Sequence, residues 1–198
     1  YVAVTGVQTC ALPISEQAAM DMNRLFEVFQ AHNIRYFFYI GGNDSQDTAH
    51  KVHQQAQAIG YDMRVIGMPK TIDNDLPHTD HCPGYGSVIK YNAATVMEVG
   101  MDIGSMATDA GACLVLEVMG RSAGWIAAGT VLAKRTPQDP PHIILMPEIP
   151  INKESFLQKV REVTAALGYC VVVVGEGLRD KEGNLLSADK SVDRKSVV

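Results

Sequence analysis

Apolar residues recur along this chain with two different periods, and the points where one period gives way to the other lay out its architecture. Met22, Leu25, Phe26 and Phe29 fall three and four apart, which predicts a helix over residues 17–32 with Asn33 ending it. The run 34–40, rich in aromatic and β-branched residues, reads as a strand closed by Gly41-Gly42. Ala49, Val52, Ala56 and Ile59 mark a second helix with Gly60 as its C-cap. Residues 63–66 follow as a short strand stopped by Gly67 and Pro69. Val88, Tyr91, Thr95 and Val99 space a third helix. Residues 113–118 predict a buried strand, 122–133 a helix carrying the one tryptophan, Trp125, and 142–146 another strand. Asn152 caps a helix whose Phe156, Val160, Val163 and Leu167 point inward. Residues 171–174 are a continuous apolar strand running into Gly175-Glu176-Gly177. Strand and helix alternate throughout. This predicts an α/β fold, a three-layer sandwich with a mainly parallel sheet and helices on both faces.

Open α/β sheets place their chemistry outside the carboxyl ends of the strands, so the residues following each strand are the candidates. After 63–66 come Lys70, Thr71, Asp73 and Asp75, a cation, a hydroxyl and two carboxylates within six residues. Carboxylates two apart can divide the work of general base and metal ligand. The same residues, with Asn74 ahead of Leu76-Pro77, also suit an Asx-rich turn. Gly41-Gly42-Asn43-Asp44-Ser45 joins a strand to a helix, where glycines admit phosphate oxygens to backbone N–H groups and the helix N-terminus favours an anion. A plain turn is the competing reading. Met119-Gly120-Arg121 leaves a strand and opens a helix; the glycine lets backbone approach a sugar, and Arg121 offers a fork of donors. Otherwise Met119 would be core, and Glu176, at the end of the last strand, a solvated turn residue. His78-Thr79-Asp80-His81-Cys82 crowds four potential zinc ligands, but no second segment supplies partners at a zinc-type spacing. His50 and His53 read as surface residues, and Glu148 as a structural residue at a strand end.

Composition narrows the partners. A chain of 198 residues is one domain or one large piece of a bigger protein, and 46% hydrophobic residues suffice for a core. The net charge of -5 argues against nucleic acid and anionic membrane surfaces. No apolar run approaches the ~20 residues of a membrane span. Cys82, Cys113 and Cys170 lack metal-type spacing, which fits a reduced, cytoplasmic compartment.

Three motifs in order, I-G-G-N-D-S at 40–45, P-K-T-I-D-N-D at 69–75 and E-V-M-G-R at 117–121, resemble those of the phosphofructokinase family, and the resemblance covers residues 16–192. It implies a phosphotransferase that converts fructose 6-phosphate to fructose 1,6-bisphosphate with Mg²⁺. It also implies roles. Asp73 is the base that accepts the proton of the sugar's 1-hydroxyl as that oxygen attacks phosphorus. Thr71 contacts a substrate phosphate or hydroxyl, and Asp75 orients the metal or the base. Met119, Gly120 and Arg121 contact fructose 6-phosphate, and Glu176 hydrogen-bonds sugar hydroxyls. Gly41, Gly42 and Ser45 belong to a loop that binds phosphate and Mg²⁺; at its first acidic position stands Asn43, a neutral oxygen ligand, where better-known members carry Asp.

Asp44 and Lys70 stand where ATP-dependent members have glycine. A carboxylate at Asp44 would clash with the α-phosphate of ATP and repel it, and Lys70 supplies a point charge for pyrophosphate. Both changes imply the pyrophosphate-dependent branch; an ordinary loop ion pair between the two is the competing reading. An ATP-dependent 6-phosphofructokinase is the alternative within the class, and a non-catalytic sugar-phosphate-binding or regulatory subunit the alternative outside it. Gly111-Ala112-Cys113 stands where many bacterial members place an arginine that reaches a neighbouring subunit's substrate; a homo-oligomer is implied by the family alone. Residues 4–15 and the last six, D-R-K-S-V-V, can be encoded by DNA that resembles common sequencing adapters. Residues 1–15 and 193–198 are therefore expected to be non-native tails around a partial catalytic region, 16–192, which the resemblance implies is a phosphate-donor part followed by a sugar-phosphate part. That region would lack the family's first glycine loop and its downstream sugar-phosphate-gripping arginines and histidine, so the 198-residue segment is expected to be inactive or very weak alone.

Overall fold

A computed structural model of the chain describes residues 2–5, 16–107 and 111–186. They fall into two units, Tyr1–Thr71 with Leu76–Pro83, and Ile72–Asp75 with Gly84–Val198. The parallel sheet expected from the alternation is present as two three-stranded sheets, one in each unit, with every described pairing between strands parallel.

In the first unit, β1 (Val2–Thr5), β2 (Tyr36–Gly41) and β3 (Arg64–Pro69) lie in that order with β2 central. β2 and β3 stay in register from Tyr36↔Arg64 to Gly41↔Pro69. Alternate side chains of a strand go to opposite faces. Phe37 and Tyr39 therefore meet α1 (Glu16–Ala31) and α2 (Asn43–Ala58), forming a core with Phe26, Phe29, Val52 and Ala56. Tyr61 closes this core, its one hydroxyl proton shared between the carbonyls of Phe29 and Ile34, 3.0 and 2.8 Å away. The opposite face leaves Tyr36 55%, Ile66 45% and Met68 42% exposed, so α1 and α2 cover one side of this sheet. The strand expected to stop at Gly67 runs on to Pro69. β3 is an edge strand, where a missing N–H is tolerated, and the next residue resumes the ladder, Lys70 N donating to Gly41 O at 2.9 Å. β1 falls inside the expected N-terminal tail; residues 6–15 of that tail, and residues 193–198 at the other end, lie outside the described residues.

The second unit holds α3 (Tyr85–Ser105), β4 (Ala112–Val118), α4 (Trp125–Gly129) continued by a 3-10 turn over Thr130–Ala133, β5 (Ile143–Leu145), α5 (Lys153–Leu167) and β6 (Tyr169–Gly175). Its strand order, β4-β6-β5, puts the continuous apolar run in the centre. Val171, Val172 and Val173 are fully buried there, as a two-sided central strand requires. β4 was expected to be buried but is an edge: Leu114, Leu116 and Val118 turn inward, while Cys113, Val115 and Glu117 are exposed. The buried face of α3 runs through Asn92, Ala93, Val96, Gly100 and Ile103, one position on from the expected stripe, and Tyr91 is 70% exposed. Small residues set that rotation. A Cβ on Gly100 would lie 2.3 Å from the Pro140 ring, so close packing selects the glycine face over the aromatic one.

The helix expected over 122–133 begins only at Trp125, because Ser122, Ala123 and Gly124 are spent on a turn. α5 is capped as expected, Asn152 Oδ1 accepting from Ser155 N at 3.0 Å, with Phe156, Val160, Val163 and Leu167 half-buried. His142 ties the start of β5 to β6 twice: its N–H donates to Val171 O at 2.9 Å, and its Nδ1 accepts from Val171 N at 2.8 Å. An amide can only donate, so Nδ1 carries the lone pair and Nε2 the proton, which goes to Gln138 O at 3.1 Å. Burial pushes this imidazole's pKa below its ordinary value. Cys113 and Cys170 are register partners across β4 and β6, and burial, with Cys113 alongside, pushes the Cys170 thiol up to about 12.

Candidate active site

In the first unit the carboxyl ends of β2 and β3 bring the glycine loop beside Lys70 and Thr71. Gly42 is the N-cap of α2 and makes no side-chain cap, so the first turn of the helix, Asn43, Asp44 and Ser45, opens directly off the strand. A Cβ on Gly42 would sit 3.6 Å from Thr71 Cβ and 3.8 Å from Lys70 O. Gly41 has no such room: a Cβ there would be 2.1 Å from the buried Ser45 hydroxyl. The glycines therefore serve two purposes, one packing against Ser45 and the other keeping backbone open beside Thr71. Asn43, Asp44 and Lys70 are exposed. Among the described residues neither Asp44 nor Lys70 joins an ion pair. The arrangement presents helix-start amides and a lysine cation on adjoining strand ends, which suits an anion.

Gln46 was not singled out from the sequence, yet it holds this corner together. Its Nε2 donates to Gly41 O at 3.0 Å, and a Cβ on Gly67 would lie 2.0 Å from its Oε1. The available signal was the glycine inside β3, since glycine within a strand marks a close approach.

The second unit carries the carboxylates. Ile72 packs with Tyr85 and Val88 beside the core of α3, α4 and β6, which anchors the three residues after it. Gly84, at φ +88, makes room for it: a Cβ there would be 2.9 Å from Ile72 Cγ2. Asp73 and Asp75 are half-buried on either side of Asn74, which takes the left-handed φ of +56 that asparagine tolerates. The turn reading and the chemical reading of this stretch thus describe the same residues.

Between β4 and α4, the turn from Met119 to Gly124 presents Arg121. Met119 is 53% exposed and so is not core. Glu176, just past β6, gives one carboxylate oxygen to the amide of Gly120 at 3.2 Å. Glu148, past β5, accepts from the amide of Gly124 at 2.7 Å. Glu148 is the structural residue at a strand end that the sequence suggested, though a backbone amide 24 residues away leaves no local pattern that names its partner. Among the described residues no group of three or more His, Cys, Asp or Glu side chains is disposed to hold a metal.

The phosphofructokinase family model matches residues 6–196, and the chain belongs to that family. It is 49% identical over 172 residues to the pyrophosphate–fructose 6-phosphate 1-phosphotransferase of Xanthomonas campestris, covering 87% of this chain and 41% of that one. Among solved structures it is similar to the pyrophosphate-dependent phosphofructokinase of Marinobacter aquaeolei, with a TM-score of 0.73 and 52% identity over 86% of this chain and 44% of the other. The corresponding enzyme of Nitrosospira multiformis gives a TM-score of 0.75 and 48% identity over 84% and 42%. The chain spans about two fifths of the length of these relatives.

Proposed function

We propose that this chain is part of a pyrophosphate-dependent 6-phosphofructokinase, which transfers a phosphoryl group from pyrophosphate to fructose 6-phosphate. The observation that carries the donor assignment is the pairing of Lys70 and Thr71 with the Gly41–Ser45 loop at adjoining strand ends, with Asp44 and Lys70 in no ion pair among the described residues. A lysine cation and helix-start amides suit a compact polyanion. The exposed carboxylate of Asp44 on the first turn of α2 repels the further phosphate of a nucleotide.

In this reading Asp73 takes the proton of the sugar's 1-hydroxyl while that oxygen bonds to phosphorus and the phosphorus–oxygen bridge of pyrophosphate breaks, releasing inorganic phosphate. Phosphoryl transfer asks for alignment and charge neutralisation more than for covalent chemistry. Arg121, Met119, Gly120 and Glu176 hold the sugar phosphate, and Thr71 a phosphate or hydroxyl. Mg²⁺ is typically bound through one or two carboxylates plus substrate phosphates rather than by a protein cage. The neutral Asn43 is a candidate contact for the ion, which would neutralise charge on the transferring group. The same reading gives a cytoplasmic enzyme and a homo-oligomer, and no helix among the described residues is long and apolar enough to cross a membrane.

Donor preference in the intact enzyme tests the assignment. Asp44→Gly with Lys70→Gly is expected to lower the preference for pyrophosphate over ATP; an unchanged preference would remove both residues from donor choice.

A further inference from the structure

The turn that leaves β4 is held from two sides, and one of its holders has no place in the scheme above. We infer that Glu148 is a positioning residue for sugar-phosphate binding, fixing the turn that carries Met119, Gly120 and Arg121. This rests on the function proposed for that turn.

The two glutamates follow the ends of neighbouring parallel strands, Glu148 after β5 and Glu176 after β6. They accept from amides four residues apart, Gly124 and Gly120, at 2.7 and 3.2 Å. Arg121 lies between those two fixed points. The backbone around it leaves no slack: a Cβ on Gly177 would be 1.7 Å from Arg121 O, and one on Gly120 2.4 Å from Ala123 O. On the Glu148 side, a Cβ on Gly124 would fall 2.8 Å from Glu148 Oε2 and 2.7 Å from Met146 Cβ. A hydrogen bond to an ionised acceptor is among the stronger ones, and the Glu148 bond is the shorter of the pair. The side chain of Arg121, by contrast, is exposed and joins no ion pair among the described residues. The main chain is pinned while the guanidinium is left for a ligand.

Glu148 does not itself need to touch the sugar. Its effect reaches substrate through Arg121, because a long side chain carries any displacement of its Cα out to its head, and small misplacements of binding groups are costly. Such a loss weakens ground state and transition state alike, so it appears in KM rather than kcat.

The test is a series at one position in the intact enzyme. Glu148→Ala removes the acceptor, Glu148→Asp keeps the charge but shortens the reach, and Glu148→Gln keeps an oxygen at the right distance. Ala and Asp are expected to raise KM for fructose 6-phosphate about tenfold, leave KM for pyrophosphate unchanged, and change kcat by less than about threefold, with Gln close to wild type. An unchanged sugar KM in the Asp variant, which keeps the charge and the fold, would overturn the inference even if the Ala variant failed to fold. A second readout is independent of turnover. Trp125, the one tryptophan of this chain, directly follows Gly124, so its quenching by acrylamide in the 198-residue protein should rise in the Ala and Asp variants and recover in Gln. A wild-type enzyme inert towards fructose 6-phosphate would remove the proposed function, while the quenching series would still decide whether the clamp exists. Unchanged quenching in both Ala and Asp would remove the clamp.

Discussion

Lys70 and Asp44 carry opposite charges at the ends of neighbouring strands, yet neither is in an ion pair among the described residues. Uncompensated charge at a strand end is what an incoming ligand can use. Asp73 carries the heaviest demand in the proposed reaction. Its replacement by Ser in the intact enzyme should cut kcat by about a thousandfold, within the usual worth of a general base, measured as fructose 1,6-bisphosphate formed. Retention of more than a tenth of the activity would take the base role away from it. The cysteines make a separate prediction: with its thiol pushed up to about 12 and buried, Cys170 stays protonated near pH 8. Peptide mapping after iodoacetamide should find Cys113 modified and Cys170 not; equal labelling would contradict the described burial. The candidate residues were legible because functional groups follow strands in α/β folds, and Gly41–Ser45, Lys70–Asp75, Met119–Arg121 and Glu176 each do so. Gln46 was not legible, and Glu148 was legible as a structural residue at a strand end but not in the amide it holds. Their partners are backbone groups of other strands and turns, and a single sequence records only the residue, not the amide it meets.

Among the elements, β5 has the least of its own to hold it, three residues paired along one edge of β6. His142 supplements that pairing through the Val171 amide. Because burial holds the folded pKa below the ordinary ~6.5, folding favours the neutral ring. Its contribution is complete above pH ~6.5 and is lost as pH falls below that value through the folded pKa. His142→Asn places a non-titrating oxygen near the same position, so the fall in melting temperature between pH 7.5 and 5 should be smaller in the variant. An equal fall in both proteins would show that other groups set it. Removing the α5 cap by Asn152→Ala should cost about 1 kcal/mol, read by denaturant unfolding, and a loss under a few tenths would mean that the Ser155 amide is satisfied otherwise. Helix and strand periods placed nearly every element, and the apolar run of β6 announced a central strand. The periods failed where size outweighed hydrophobicity: α3 turns Ala93 and Gly100 inward and Tyr91 out. They failed again where a turn consumed the start of a helix, at Ser122–Gly124.

For the whole molecule, a phosphate-donor part followed by a sugar-phosphate part was expected from the family resemblance alone; the residue pattern marks no boundary between the two units, since strand and helix alternate across it without a linker or change of composition. Family membership follows from a match over residues 6–196, while the relatives are more than twice as long. The 198-residue chain is therefore expected to show no measurable turnover by itself. Turnover at the level of an intact relative would mean that this segment carries a complete site. The apolar face of β2 and β3, with Tyr36, Ile66 and Met68 exposed, also makes the isolated chain a candidate for self-association, checked by light scattering against a Met68→Lys variant. Less association in the variant is expected, and no difference would exonerate that face. The most direct test of the central claim is an assay of fructose 6-phosphate phosphorylation in the intact enzyme with pyrophosphate and with ATP, each with Mg²⁺, beside Asp73→Ser. Turnover with pyrophosphate alone, abolished by the substitution, is the expected result. Turnover with ATP alone would keep the family and contradict the roles of Asp44 and Lys70, and none with either donor would point instead to a sugar-phosphate-binding subunit.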